Sequence, residues 1–149
     1  MSIAARPFVV MVEKMIRGEI PQAHIGQTIG MRVVEVRPDF AAFEMETGTR
    51  HSNPMGTLHG GVLCDIADAA MGMAYAATLE DGESFTTLEL NINFLRPVWK
   101  ATLTAEGHVV HRGRSVGLTE CSITDEKGRL IARATSTCLT LRGDQAAGR

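Results

Sequence analysis

The residues best suited to chemistry lie together near the middle of the chain. Asn53-Pro-Met-Gly-Thr-Leu-His-Gly-Gly-Val-Leu-Cys-Asp-Ile-Ala runs straight into Asp68. The pair Gly60 and Gly61 precedes a run from Val62 to Ala77 that is nearly all small and apolar, the pattern of a helix buried on most sides. Glycines at a helix start present backbone N–H groups where the helix dipole is positive, and no side chain keeps a carbonyl oxygen away. A tight loop-to-helix turn alone would also ask for glycine. The only charges in the helix are Asp65 and Asp68. A carboxylate in such surroundings is costly unless it is paired or used. Backbone donors and a carboxylate are the parts that addition to a carbonyl group needs.

Composition sets the frame for these residues. The 149 residues suit one domain with a proper core, and 44% hydrophobic with 21% charged is ordinary for a globular protein. A net charge of −2 supplies no general attraction to nucleic acid or an anionic membrane. No apolar run approaches the roughly 20 residues that span a bilayer. The apolar stretch Phe8–Val12 is cut short by Glu13 and Lys14, which argues against a signal peptide. Cys64, Cys121 and Cys138 are widely spaced in apolar company and read as reduced core residues of a cytoplasmic protein, with no zinc spacing among them.

Periodicity supplies the elements that must position the motif. Phe8–Arg17 has helical spacing and stops at Gly18. Met31–Val36 and Phe40–Glu46 read as strands around an Arg37-Pro38-Asp39 turn. After the central helix, Phe85–Leu95 alternates strictly, with Leu88, Leu90, Ile92 and Phe94 on one side and Thr87, Glu89, Asn91 and Asn93 on the other. Thr102–His111, Ser115–Thr124 and Leu130–Leu141 complete the strands, the first two joined by Arg112-Gly113-Arg114 and the last two by a turn at Asp125–Gly128. The expected organisation is an N-terminal helix and linker over 1–28, one α+β domain over 29–142 and a disordered tail over 143–149. Its sheet curls around one long helix.

This chain resembles the hotdog-fold acyl-CoA thioesterases of the phenylacetate-degradation type, within the 4-hydroxybenzoyl-CoA thioesterase superfamily. The resemblance runs from about Ile29 to Leu141. It is carried by Asn53-x-x-Gly56-x-x-His59-Gly60-Gly61, by Asp68 nine positions after His59, and by Asn91-x-Asn93-Phe94-Leu95-Arg96-Pro97 on the next strand. It implies an antiparallel sheet wrapped around the helix and hydrolysis of an acyl-CoA to free acid and CoA. It implies no cofactor beyond the CoA of the substrate and no metal.

The resemblance also implies roles. Gly60 polarises the thioester carbonyl, with Gly61 beside it, and Asp68 is the carboxylate that attacks or activates water. Asn53 orients substrate or water, although Asn before Pro54 is also common turn chemistry. Thr87 supports the carboxylate, or is a routine strand hydroxyl. His59 anchors the loop through hydrogen bonds. Asp65 lies nearer the N-terminal turn of the helix, where acids are stabilised regardless of catalysis, and so reads as structural. Arg96, Arg112 and Arg114 are candidates for the CoA phosphates, and Met71, Met73, Tyr75 and Leu79 for the acyl pocket or plain core.

Geometry adds one conclusion. Gly60 and Asp68 are eight residues apart, so one helix separates them by roughly 12 Å. A reacting carbon must sit within roughly 3 Å of its attacking group while its oxygen meets the donor. Two antiparallel helices across a dimer can arrange that, and the family's shared site agrees. The expected assembly is a homodimer with two equivalent sites, open to pairing into a homotetramer. Two other readings use the same groove. A non-catalytic acyl-CoA or acyl-carrier binding module would gain nothing from Asp68. A hotdog hydratase or dehydratase would use a His–acid pair, which the mid-helix position of Asp68 disfavours.

Overall fold

A computed structural model describes residues 6–149. Two short helices, α1 (Pro7–Ile16) and α2 (His24–Ile29), lead into the hairpin β1 (Met31–Arg37) and β2 (Phe40–Glu46). A loop with one 3-10 turn, Thr49–His51, delivers the chain to the long helix α3 (Gly60–Ala76). Four strands follow: β3 (Ser84–Phe94), β4 (Thr102–Arg112), β5 (Val116–Asp125) and β6 (Leu130–Leu141). All pair antiparallel in one sheet of order β1-β2-β4-β5-β6-β3. This is the hotdog arrangement expected from the sequence.

Most elements lie within a residue or two of the pattern that announced them. Helix α2 was not foreseen: six residues are too few for a periodic signal, and only Gly30, at φ 86 in the left-handed C-cap, marks it. Past Leu141, in the segment expected to be disordered, a single 3-10 turn, Gly143–Gln145, forms with no residue buried.

Two expectations need correcting. Helix α3 is not buried on every side. Ile66, Ala67, Ala70, Met71, Ala74 and Tyr75 press onto the sheet with no exposure, while Gly61 and Asp68 are exposed and Cys64, Asp65, Ala69, Gly72 and Met73 half-buried. Small apolar residues make that second stripe look like core in a sequence, yet the described residues of one chain leave it partly open. Cys64 therefore leaves the core set, whereas Cys121 and Cys138 are buried in it, and burial pushes the Cys121 thiol up to about 12.

Strand β3 is not strictly alternating. It pairs with β6 through Thr87↔Cys138 and then Glu89↔Thr137, so Leu88 is an extra residue and the register shifts. Ahead of the bulge, Phe85 faces Tyr75 on α3, with ring centroids 5.5 Å apart, and Thr87 faces the same way. Beyond it, Leu90 and Ile92 pack on the core. The bulge thus switches the parity, so that both halves of β3 aim inward residues at α3. β3 also forms one edge of the sheet, bonded to β6 alone.

Candidate active site

His59 caps α3. It is extended at φ −64 and ψ 131, and its Nδ1 accepts the N–H of Gly61 at 2.9 Å. That bond places the ring proton of a neutral His59 on Nε2 and makes His59 an organiser of the turn. It also corrects the expectation for Gly61, whose N–H is taken. The N–H of Gly60 has no hydrogen-bond partner among the described residues, so it is the free donor at the helix start. A side chain there is not tolerated in place: a Cβ on Gly60 would lie 2.8 Å from the ring of Phe94.

The loop before the cap is held by Asn53. Its Oδ1 accepts from the N–H groups of Met55 and Thr57 at 3.0 and 3.2 Å, and its Nδ2 donates to Thr57 Oγ1 at 2.8 Å. The side chain is therefore mainly a turn-former, with one amide hydrogen left over. Asn53, Gly60 and Arg96 share a cleft of about 360 Å³ with Leu58, Leu63, Phe94 and Val98. Arg96 is exposed, and its guanidinium has no partner among the described residues. Phe94 is a site residue that the motif contained but the sequence did not single out.

Asp68 lies on the open stripe of α3. Thr87 Oγ1 donates to its Oδ1 at 3.2 Å, a contact that exists because the Leu88 bulge turns Thr87 toward the helix. Asp65 and Cys64 stand beside it. Partial burial first, and then the Asp68 charge, hold the Asp65 carboxyl above its usual range; the expectation of an acid stabilised by the helix start does not apply to it. Burial, followed by both carboxylates, pushes the Cys64 thiol up. Of the residues considered for an acyl pocket, Met71 and Tyr75 are fully buried, and Tyr75 bonds Thr140 at 2.8 Å. Met73 does line the cleft beside Asp68.

Gly60 and Asp68 thus open into different clefts of one chain. A cleft of about 660 Å³ near Arg32, Glu44 and Arg50 contains none of the candidate residues. Among the described residues, no group of three or more His, Cys, Asp or Glu could hold a metal ion, and no helix is long and apolar enough to cross a membrane.

Arg112 is not available to a ligand. It donates to Thr78 Oγ1 at 3.0 Å, to Gly113 O at 2.6 Å and to Glu83 at 3.1 Å, and its guanidinium lies 4.9 Å from the Tyr75 ring centre. Glu83 also pairs with Arg142. The Arg112→Ala variant is therefore expected to lower stability by about 1–3 kcal/mol, read as a fall in the thermal midpoint, because Glu83 loses a partner while largely covered. Arg114 is exposed, and its carbonyl accepts from Arg142 at 2.6 Å. Both arginines lie past the C-terminal end of α3, away from Gly60.

Comparison with known proteins places this geometry. The thioesterase superfamily pattern matches residues 55–132, more than half of the chain. A 1,4-dihydroxy-2-naphthoyl-CoA hydrolase from Listeria monocytogenes is 32% identical over 111 residues, 74% of this chain and 90% of the relative. A phenylacetic acid degradation-related protein from Ralstonia eutropha superposes with a TM-score of 0.77 at 33% identity, covering 86% of this chain and 98% of that one. The PaaI protein of E. coli shares the fold, at a TM-score of 0.79 and 22% identity over 91% and 97% of the two chains. The chain belongs to the thioesterase superfamily and is a thioester hydrolase.

Proposed function

We propose that the chain hydrolyses an acyl-CoA in a site built from two copies, with Gly60 from one protomer and Asp68 with Thr87 from the other. The observation that carries this reading is the pairing of a free Gly60 N–H in one cleft with an exposed, Thr87-bonded Asp68 in another, roughly 12 Å away along the same helix. Antiparallel α3 helices meeting across the open stripe bring each Gly60 opposite an Asp68 of the partner subunit. The uncovered β3 edge and its exposed Leu88 support contact on this side.

In this arrangement the thioester oxygen accepts the Gly60 N–H at the positive end of α3, which stabilises the oxyanion as charge develops. The Asp68 carboxylate acts on the carbon, directly or through one water. Thr87 engages Oδ1 and leaves Oδ2 free for the reaction. On the direct route an acyl–Asp68 anhydride forms as the CoA thiolate leaves, and water then hydrolyses it; on the water route Asp68 takes a proton from the water that adds to the carbon, the C–S bond breaks and the thiolate leaves, so both routes end in free acid and CoA. Neither metal nor cofactor enters this scheme. Arg96 is the cation for the CoA phosphates: Arg96→Ala is expected to raise KM about tenfold with kcat nearly unchanged, measured as thiol release against acyl-CoA concentration. An unchanged KM would take Arg96 out of substrate binding. The names of the Listeria and Ralstonia relatives support an aryl acyl group.

The test uses a heterodimer of differently tagged Asp68→Asn and Gly60→Pro chains, isolated by tandem purification. Each homodimer should be nearly inactive. The heterodimer has one site with both defects and one with neither, so about half of wild-type turnover returns. No recovery would place both groups in the same chain's site and end the shared-site reading.

A further inference from the structure

We infer that Trp99 is the platform on which the adenine ring of the CoA substrate stacks, so that the chain tells a CoA thioester from one lacking the nucleotide. The inference rests on the acyl-CoA reading above and extends it from the reacting carbon to the far end of the leaving group. Trp99 is the only tryptophan in the sequence, and it is 63% exposed. An indole left in water forgoes one of the largest gains that burial offers a side chain.

The backbone on both sides holds this exposure in place. Leu95 and Arg96 donate their N–H groups to Ile131 O at 2.9 and 3.2 Å, and the ring of Pro97 fixes its own φ. Val98 is buried, and its carbonyl accepts the Leu58 N–H at 2.7 Å. Ala101 accepts the Thr47 N–H at 2.9 Å and donates to Thr47 Oγ1 at the same distance. Only Trp99 and Lys100 lie between these anchors, and both are exposed. The chain is pinned on either side of a two-residue projection, so little order has to be gained when a ligand settles on it.

Position and charge select the occupant. Arg96, Pro97 and Val98 line the cleft that holds the free Gly60 N–H, and Trp99 is the next residue along. Lys100 beside it and Arg96 before it are exposed cations, and neither side chain has a partner among the described residues. In CoA the thioester leads through the pantetheine arm to a diphosphate, and then to a purine nucleoside that carries one more phosphate. The wall offers groups to match: an N–H donor for the thioester oxygen, two cations for the phosphates and an indole face for the purine. A second copy of the chain is the other candidate cover. Trp99 leads into β4, which β5 and β6 separate from the β3 edge proposed for contact between copies, so that contact leaves the indole open.

The experiment titrates wild type with adenosine 3′,5′-bisphosphate, the nucleotide end of CoA, and follows tryptophan emission with excitation beyond the adenine absorption. Because the chain holds one tryptophan, the signal reports Trp99 alone. Saturable quenching is expected, and ribose 5-phosphate, which has charge but no purine, should leave the emission unchanged. In parallel, kcat/KM for phenylacetyl-CoA is compared with that for phenylacetyl-pantetheine, which lacks the nucleotide. Trp99→Ala should lower the ratio of the two about tenfold, through KM for the CoA ester, and Trp99→Phe, which keeps an aromatic face, should restore most of it. Emission unchanged at nucleotide concentrations well above KM for the CoA ester, or both esters slowed equally in Trp99→Ala, would overturn the assignment. Dissociation of the assembly in Trp99→Ala, read by sizing, would also overturn it and give this surface to a second copy. The titration needs no turnover, so its failure is distinct from failure of the acyl-CoA reading, which would show as wild type hydrolysing neither ester and would take the inference with it.

Discussion

The Asp68→Asn variant is expected to release thiol from its best acyl-CoA about 10²–10⁴-fold more slowly than wild type, since an amide neither attacks a carbonyl nor takes a proton from water. If the group acts on the reacting carbon and does not hold the CoA, the loss should fall on kcat, with KM nearly unchanged. The substitution keeps the shape of the side chain and leaves an oxygen to accept from Thr87, so fold and assembly should survive. Removing the charge also takes away the repulsion that, after burial, holds the Asp65 carboxyl and the Cys64 thiol above their ordinary values, and both should move down. Steady-state thiol release, with sizing to confirm the assembly, reads the result. Undiminished turnover in a folded variant would remove Asp68 from the reaction.

The second large effect separates an N–H from a side chain at Gly60. In Gly60→Pro the donor is deleted, while the backbone has reason to stay in place. Proline suits the first position of a helix, and His59 before it is already extended, as a residue preceding proline must be. Gly60→Ala keeps the donor and adds only the Cβ that would press on the exposed Phe94 ring. If the Gly60 N–H holds the oxyanion, the proline variant should turn over about 10²–10³-fold more slowly than the alanine variant. Comparing the two cancels the steric term, since both displace Phe94. Equal rates would mean that the turn needs glycine only for space.

Much of the fold could be read directly because its signals are local. The Gly60-Gly61 break, the long apolar run after it and the turn residues at Asp81-Gly82 and Asp125–Gly128 each depend on a few neighbouring positions. The order of elements then left few ways to bury the central helix. The same locality explains the misreadings. Small apolar residues on the far stripe of α3 have the composition of core, and only the packed chain reveals which side meets the sheet. Arg112 and Arg96 are the same residue type beside strand ends, the first closing β4 and the second just past β3. One is consumed by Glu83, Thr78 and Tyr75 from distant segments, and the other has no side-chain partner among the described residues.

By itself the sequence determined the central helix with a glycine turn at its head and a carboxylate at Asp68, and the eight residues of helical rise between them are what the proposal of two helices at one reaction centre rests on. Tertiary structure decided which groups face one another. The Leu88 bulge puts Thr87 on Asp68, where strict alternation would have turned it away with Glu89. His59 folds back to occupy Gly61 and leaves Gly60 open. Phe8 reaches the Asp68 cleft from more than fifty residues away in the chain. The reason is physical: helical rise and turn propensity act over a few neighbouring residues. Strand register, side-chain hydrogen bonds and cavity walls form only when segments far apart in sequence compete for the same space.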